Sequence, residues 1–86
     1  MSFKLSIMTP MGQAFEGDAN SIAAPGLMGG FEVYTGHAPM VAALKPGKLL
    51  IRTASGISSL NISDGILEVS SDHNVLVLTD RADVEK

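Results

Sequence analysis

The sequence predicts an all-β domain, either a sandwich or a barrel. Short runs of β-branched and aliphatic residues are separated by Gly, Pro, Asn and Asp about every eight to twelve residues, which is the spacing of strands in these folds. The first run has the alternation of a half-buried strand, because every second position from Phe3 to Ile7 is apolar. No segment before Asp80 has the apolar period of about 3.6 residues that marks a helix.

Turn residues divide the first half of the chain into a series of short predicted strands. Proline cannot donate a ladder hydrogen bond and glycine frees the backbone, so Pro10, Gly17 and Pro25 each end a run. The last of these runs follows Pro39 directly and is short and apolar, which favours an edge strand. The predicted strands are Phe3–Ile7, Ala14–Glu16, Ser21–Ala24, Phe31–Tyr34 and Met40–Leu44.

Two short motifs in the second half predict tight hairpins. The segment Lys45–Lys48 has Pro and Gly at its central positions, which is the signature of a type II turn with a positive φ at Gly47. The Asp64-Gly65 pair is also a strong hairpin signal. The strands after Leu44 are predicted at Leu49–Ala54, Ile57–Ser63, Ile66–Ser70 and Val75–Thr79.

Composition excludes several classes of function. The chain has 86 residues, enough for one domain, and with 45% hydrophobic and 17% charged residues it is globular rather than disordered. Its net charge is -3 and its six Lys and Arg are scattered singly, which argues against nucleic-acid binding. It has no Cys for a disulfide or a zinc–thiolate site. No apolar run approaches the roughly 20 residues of a membrane span, and the chain does not begin like a signal peptide.

No group of residues has the spacing of a catalytic or cofactor site. His37 and His73 lie in predicted turns, with no Ser, Cys or carboxylate at a recognisable catalytic spacing and too few further ligands for a metal. Gly26, Gly29 and Gly30 lack the strand–helix context and the Lys-Ser or Lys-Thr of a phosphate-binding loop. The sequence therefore predicts no catalytic residue, no metal and no cofactor.

The last two predicted strands are apolar on both faces. Ile66–Val69 and Val75–Leu78 have aliphatic side chains at odd and even positions, whereas a strand of a free sandwich needs only one apolar face. Such strands are either buried completely within the domain or covered on their outer face by a partner. We favour a partner.

Four segments carry recognisable motifs in a fixed order along the chain: Tyr34–Pro39, which contains Gly-His-Ala-Pro, then Lys45–Gly47, Gly65–Val69 and Val75–Leu78. Together they resemble the N-terminal β-sandwich of the epsilon subunit of rotary (F-type) ATP synthases. The resemblance extends from Phe3 to about Asp80. It implies a ten-stranded sandwich of two packed, mostly antiparallel sheets over residues 1–80, followed by a short polar tail, residues 81–86, where the family's helical hairpin would begin.

The resemblance implies a function without chemistry. Members of this family are non-catalytic subunits of the central stalk, or rotor, of an ATP synthase. We therefore expect the chain not to be an enzyme itself, but to bind the gamma subunit and the c-ring and to couple the torque of proton or sodium flow to the catalytic head. The implied location is peripheral, on the cytoplasmic face of the inner membrane or at the chloroplast thylakoid equivalent, with no direct membrane insertion.

The resemblance also assigns residues to both contacts. In the c-ring-facing loop, His37 would lie at the tip. In the family, an acidic residue contributes to the contact with the ring, and this sequence departs from that pattern at two places. Met28 or Gly30 stands where many members have the acidic residue, and Glu32 stands where Gly is usual, so the acidic contact would be shifted or lost. The implied ring-facing residues are Glu32, Tyr34, Gly36, His37, Ala38 and Pro39, and the implied gamma-facing residues are Ala42, Ile66, Glu68 and Leu76.

The sequence ends at Lys86, before the two helices through which longer members inhibit ATP hydrolysis or bind ATP. We expect a chain of this length to do neither by that route, and its start and untagged end favour a natural short form over a truncated one. Two other functions are compatible with the residues alone. One is a free-standing β-sandwich that recognises a protein or a small ligand, and the other is a small enzyme that uses His37 or His73.

Overall fold

The computed structural model describes residues 1–84 and folds them into ten β-strands. No helix occurs in this range, which confirms the predicted all-β class and the strand number that the resemblance implied. The strands are β1 Phe3–Thr9, β2 Gly12–Ala19, β3 Ser21–Ala24, β4 Phe31–Tyr34, β5 Met40–Leu44, β6 Gly47–Thr53, β7 Gly56–Ile62, β8 Gly65–Val69, β9 Val75–Thr79 and β10 Ala82–Val84.

The strands form two five-stranded sheets. The first sheet has the order β2-β1-β9-β8-β5, and the second has the order β10-β7-β6-β3-β4. Neighbouring strands are antiparallel except β1 and β9, which are parallel from Leu5↔Val75 to Met8↔Leu78. Strand β5 lies at the edge of the first sheet, which confirms the edge position predicted from Pro39.

Alternate residues of both sheets point into one apolar core. Strand β1 follows its predicted alternation, because Leu5 and Ile7 are buried while Lys4 is exposed. Glycine and proline stay outside this layer apart from the buried Gly26. The buried core residues are Phe3, Leu5, Ile7, Ala19, Ile22, Ala24, Val33, Leu44, Leu49, Ile51, Leu60, Ile62, Leu67, Val69, Val75 and Val77.

The two predicted hairpins at Gly47 and Gly65 are wrong, because both segments cross from one sheet to the other. Strand β5 pairs with β8 and not with β6, and β7 pairs with β6 and β10 and not with β8. Neither glycine has a positive φ. A Cβ on Gly47 would lie 3.0 Å from Pro25 Cβ, and a Cβ on Gly65 would collide with the backbone oxygen of Leu78. These glycines permit close packing at sheet corners rather than a left-handed turn.

The predicted breaks between Ala54 and Ile57 and between Ser70 and Val75 are hairpins, whereas Gly17, which was predicted to end a strand, lies inside β2. Strands β6 and β7 are joined at Gly56, which has a φ of 133°. Strands β8 and β9 are joined through residues 70–74, where His73 has a φ of 66°. His73 is the one non-glycine residue with positive φ in the part of the chain that the structure describes.

The segment predicted as a polar tail contains a strand. Ala82–Val84 forms β10 at the edge of the second sheet, where Ala82 pairs with Ile62. The Arg81 N–H donates to the Ser63 hydroxyl at 3.1 Å, which leads the chain into this position. Ladder bonds to β7 offset the weak local preference of a three-residue strand, and local composition does not contain that information. Residues 85–86 of the predicted tail lie outside the described range.

Candidate functional site

The described residues contain no cluster of side chains that could bind a metal ion. Among residues 1–84, no three His, Cys, Asp or Glu side chains lie close enough together to hold an ion. In the same range, no helix is long and apolar enough to cross a bilayer. The features that distinguish this sandwich are instead two surfaces, one on the outer face of the first sheet and one on the loop between β4 and β5.

The outer face of the first sheet carries a continuous line of apolar side chains, hereafter the aliphatic row. The row consists of Met8, Leu78, Ile66 and Ala43, which are successive partners across β1, β9, β8 and β5. Ile66 is 47% exposed and Leu78 is 49% exposed, although the opposite face of the same strands is fully buried. The alternative that these doubly apolar strands are buried completely within the domain is therefore excluded for this chain on its own.

Three of the four implied gamma-facing residues lie together on this face. Leu76 is the ladder partner of Glu68, one row away from Ile66. Ala42 does not join them, because it is the partner of Leu67, which is fully buried in the core. Its neighbour Val41, which is 70% exposed and pairs with Glu68, occupies the outer face instead.

A depression of about 790 Å³ extends the aliphatic row beyond the ends of the strands. Pro10, Leu27 and Pro46 line it together with the row itself, and Leu27 is 62% exposed. A smaller depression of about 290 Å³ lies on the other side of the row, next to Leu76. The charged residues that line the two depressions are mostly acidic: Glu16, Asp18, Asp64, Glu68 and Asp80, against Lys4 and Lys45.

The Gly36–Pro39 loop connects the edge strand β4 of the second sheet to the edge strand β5 of the first. Gly36 has a φ of 81°, a conformation that glycine adopts without strain. The His37 N–H donates to the Tyr34 carbonyl at 3.3 Å, and its ring Nδ1 lies 2.7 Å from the Ala38 carbonyl oxygen. A carbonyl only accepts, so Nδ1 carries the proton in this contact. His37 is half-buried, and the exposed tip consists of Ala38 and Pro39 instead.

His73 is exposed in the predicted turn, and its ring also contacts this loop. Its ring Nδ1 lies 3.0 Å from the carbonyl oxygen of His37, 36 positions away in the sequence. The β8–β9 turn and the Gly36–Pro39 loop therefore lie at the same end of the sandwich. No local signal in the sequence reveals a contact over that separation.

Glu32 and Tyr34 lie on strand β4 beside the loop and form a polar cluster on the outer face of the second sheet. The Tyr34 hydroxyl donates to Glu32 Oε1 at 2.7 Å, and Arg52 Nε lies 4.0 Å from Glu32 Oε2. The hydrogen bond to the Glu32 carboxylate is the main cause of a raised pKa at Tyr34, and the Arg52 charge partly opposes it. Glu32, the acidic residue at the position where Gly is usual, is therefore hydrogen-bonded within its own sheet.

Comparison with known proteins identifies the family and the fold of this chain. The family described as "ATP synthase, Delta/Epsilon chain, beta-sandwich domain" matches residues 2–84. The ATP synthase epsilon chain of Ruminococcus albus is 44% identical over 90% of this chain, which spans 58% of that relative's length. The ATP synthase epsilon chain of Chlorobium limicola is 41% identical over 92% of this chain and 91% of the relative. Curated relatives thus include one that is matched over nearly its full length and one that is considerably longer.

Solved structures share the fold. A chain in the Euglena gracilis mitochondrial ATP synthase structure of OSCP, F1 and c-ring superposes with a TM-score of 0.90 at 22% identity, covering 96% of this chain and 53% of that one. A chain in the Tetrahymena thermophila mitochondrial ATP synthase structure of central stalk and c-ring superposes with a TM-score of 0.81 at 18% identity. The superposition covers 95% of this chain and 66% of that one. With its sandwich topology and its match over residues 2–84, the chain belongs to the ATP synthase delta/epsilon chain family.

Proposed function

We propose that this chain is a non-catalytic central-stalk subunit of a proton- or sodium-driven ATP synthase, in which it links the gamma subunit to the c-ring and transmits torque. The observation that carries the proposal is the continuous, exposed aliphatic row in a member of a family of ATP synthase subunits. The relatives are named ATP synthase epsilon chains, and one structure with a similar fold is described as a central stalk and c-ring.

The aliphatic row is the proposed contact for gamma. Apolar area removed from water contributes about 25 cal/mol per Å², so covering the half-exposed Ile66 and Leu78 favours association. A stable interface buries about 800 Å² on each partner, which is more than four side chains provide. The contact therefore extends over Val41, Leu76 and the depression at Leu27. The acidic residues around the row favour a partner surface with an apolar centre and a basic rim.

The Gly36–Pro39 loop is the proposed contact for the c-ring. Ala38 and Pro39 are exposed at its tip, and Tyr34, which is 57% exposed, continues the same surface onto the second sheet with Glu32. Because the ring would meet the loop outside the bilayer, this contact requires no membrane insertion. The location that accompanies this proposal is peripheral, at the cytoplasmic side of the membrane or at the thylakoid equivalent.

The positions of the two surfaces suit a component that transmits force. The loop precedes Met40 at one end of β5, whereas the large depression includes Leu44 at the other end. Strand β5 is paired with β8 from Met40↔Val69 to Leu44↔Gly65. A load applied to the loop therefore passes into the first sheet through hydrogen-bonded strands.

The enzyme alternative has less support. The Nδ1 atoms of His37 and His73 both contact backbone carbonyls. An activated nucleophile needs a base bonded to a hydroxyl or thiol, and neither contact is of that type. A free-standing recognition module would use the same aliphatic row, but it would not account for the family membership.

Purification of the complex tests the proposal. A tagged chain expressed with its host's ATP synthase genes is expected to co-purify with gamma and the c-ring, and its omission is expected to abolish proton-driven ATP synthesis by reconstituted enzyme. ATP hydrolysis by the isolated catalytic head should continue without it. Coupled synthesis at the normal rate in the absence of this chain contradicts the proposal.

A further inference from the structure

We infer that His73 is a positioning residue, whose imidazole fastens the Gly36–Pro39 loop to the β8–β9 turn and makes the two a single docking surface. The contact itself is a property of the fold. Its use in binding the c-ring rests on the function proposed above.

The hydrogen bond that carries the inference joins two separate parts of the chain. His73 Nδ1 lies 3.0 Å from the His37 carbonyl oxygen. Since the carbonyl can only accept, His73 donates from an N–H at Nδ1 in this contact. The side chain of His37 is not involved, because its own ring is turned onto the Ala38 carbonyl.

The backbone of His73 gives a second, independent observation. Its φ of 66° is in the left-handed region, where a residue with a Cβ is strained and a glycine is not. Glycine would satisfy the turn, because the closing bonds are made by the backbone, from His73 N–H to the Ser70 carbonyl and from Ser70 N–H to the Asn74 carbonyl, both at 2.9 Å. The imidazole is therefore not required by the turn, and its contact outside the turn is the one that distinguishes it.

The turn provides a firm base for the imidazole. Asn74 N–H and the Ser70 hydroxyl lie 3.3 Å apart, which adds a side-chain bond to the two backbone ones. Asn74 Oδ1 accepts from the Lys4 N–H at 3.2 Å, so the turn is also tied to the beginning of β1. The donor is thus held by three strands of the first sheet.

The loop has little other support. It leaves the edge of one sheet and enters the edge of the other, so it has no neighbouring strand. Its local backbone bond, from His37 N–H to the Tyr34 carbonyl, is long at 3.3 Å. Among the hydrogen bonds of residues 1–84, the His73 contact is the one that connects this loop to an element other than its flanking strands.

The combined surface is larger than the loop alone. Ala38 and Pro39 are exposed on the loop, and Asp72 and His73 are exposed on the turn beside it. A partner that docks on the loop therefore meets the turn as well. Holding the loop in its bound conformation lowers the entropy that docking must overcome.

The test uses the full chain with His73→Gly and, as a matched control, the exposed neighbour Asp72→Asn. His73→Gly keeps the left-handed backbone without strain and removes the imidazole that donates to the loop. We expect its thermal midpoint to equal or exceed that of the wild type, while the His37 amide exchanges about two- to tenfold faster by NMR, the range of one net hydrogen bond. Asp72→Asn should change neither. An unchanged His37 exchange rate in His73→Gly, or an Nε2–H tautomer of His73 in the ¹⁵N spectrum of the wild type, overturns the inference.

Binding to detergent-solubilised c-ring separates the inference from the proposed function. We expect His73→Gly to bind the ring about two- to tenfold more weakly than the wild type and Asp72→Asn to bind within twofold. Equal affinity of His73→Gly and wild type overturns the positioning role. A wild-type chain that does not bind the ring at all overturns the proposed function, while the exchange measurement still decides whether His73 holds the loop.

Discussion

The outer faces of the two sheets differ in what lies beside each exposed apolar residue. On the first sheet, Ile66 is paired with Leu78 on one side and Ala43 on the other, so the exposed apolar surface is continuous. On the second sheet, Ile57 is 61% exposed but is paired with Arg52. Both faces contain exposed aliphatic residues, and only the first arranges them as one patch.

The charged cluster at Glu32 on the second face is paired within that face. Glu32 accepts a hydrogen bond from Tyr34 and lies near Arg52, so its carboxylate is partnered inside the second sheet. Single exposed apolar residues are normal on protein surfaces, whereas a contiguous patch marks an interface. The comparison therefore shows that side-chain neighbours, rather than the number of exposed hydrophobic residues, distinguish the face that we propose as the docking face.

The largest expected effect comes from a charge placed in the aliphatic row. Leu78→Asp should lower the affinity for gamma by about a hundredfold or more, because an unpaired carboxylate buried in an apolar contact costs about 3 kcal/mol or more. Leu78 is half-exposed in the free chain, so the variant should still fold. Binding is measured by titration with purified gamma, and folding by thermal melting.

Ile57→Asp is the matched control, since it places the same charge at an exposed aliphatic position of the other sheet. It should bind gamma as the wild type does. If Ile57→Asp loses affinity and Leu78→Asp retains it, the second sheet carries the interface and the comparison is reversed.

A smaller effect is expected when the two ends of the first sheet are compared for cross-linking to the c-ring. A cysteine at Ala38, on the exposed loop, should form a disulfide with a cysteine in the polar loop of the c-ring, whereas one at Asp64 should not. Asp64 precedes β8 and lines the depression at the opposite end from the β8–β9 turn. Position 73 is unsuitable as the negative control because His73 contacts the loop. Cross-linked product is quantified by gel electrophoresis, and preferential cross-linking from Asp64 indicates the opposite orientation.

The smallest effect concerns the Glu32–Tyr34 hydrogen bond on the second face. Tyr34 is the single tyrosine of the chain, so absorbance titration reports its phenol directly. Its pKa should lie above the ordinary value of about 10, and Glu32→Gln should lower it toward that value, because the carboxylate is its main cause. Glu16→Gln, on the other sheet, should leave it unchanged.

The sign of the accompanying stability change follows from the direction of that shift. A raised pKa in the folded chain means that folding favours the protonated phenol. The resulting stabilisation is complete below the unfolded pKa and disappears as the pH rises through the folded pKa. If Glu32→Gln titrates like the wild type, the hydrogen bond at Tyr34 does not persist in solution.

Local sequence was sufficient to predict the bounds of a strand where the residues in and beside that strand determine them. Strands β3, β4, β5 and β9 have the predicted bounds, because turn-forming residues such as Pro25, Gly30, Pro39 and Asp80 delimit these short apolar or alternating runs. The hairpin at Gly56 was predictable for the same reason. The exposed aliphatic face was also foreseeable, since apolar residues on both parities of β8 and β9 exceed what one core requires.

Local sequence was insufficient where two segments distant in the chain decide the outcome. Gly47 and Gly65 have the chemistry of tight turns, but the backbones beside them belong to another sheet. The face on which Ala42 lies could not be read from the sequence, because Met40–Leu44 is apolar throughout and only its register with β8 supplies the parity. The strand β10 and the contact from His73 to His37 depend on long-range pairing in the same way.

The sequence by itself therefore determined the all-β class, most strand positions, the family and the presence of an apolar face in excess of the core. These properties follow from periodicity and turn chemistry within a few residues. The tertiary structure decided the parallel pairing of β1 with β9, the sheet to which each strand belongs, the members of the aliphatic row and the union of the two loops at His73. The physical reason is that ladder register and corner packing are set by the simultaneous burial of residues far apart in the chain, which no local pattern encodes.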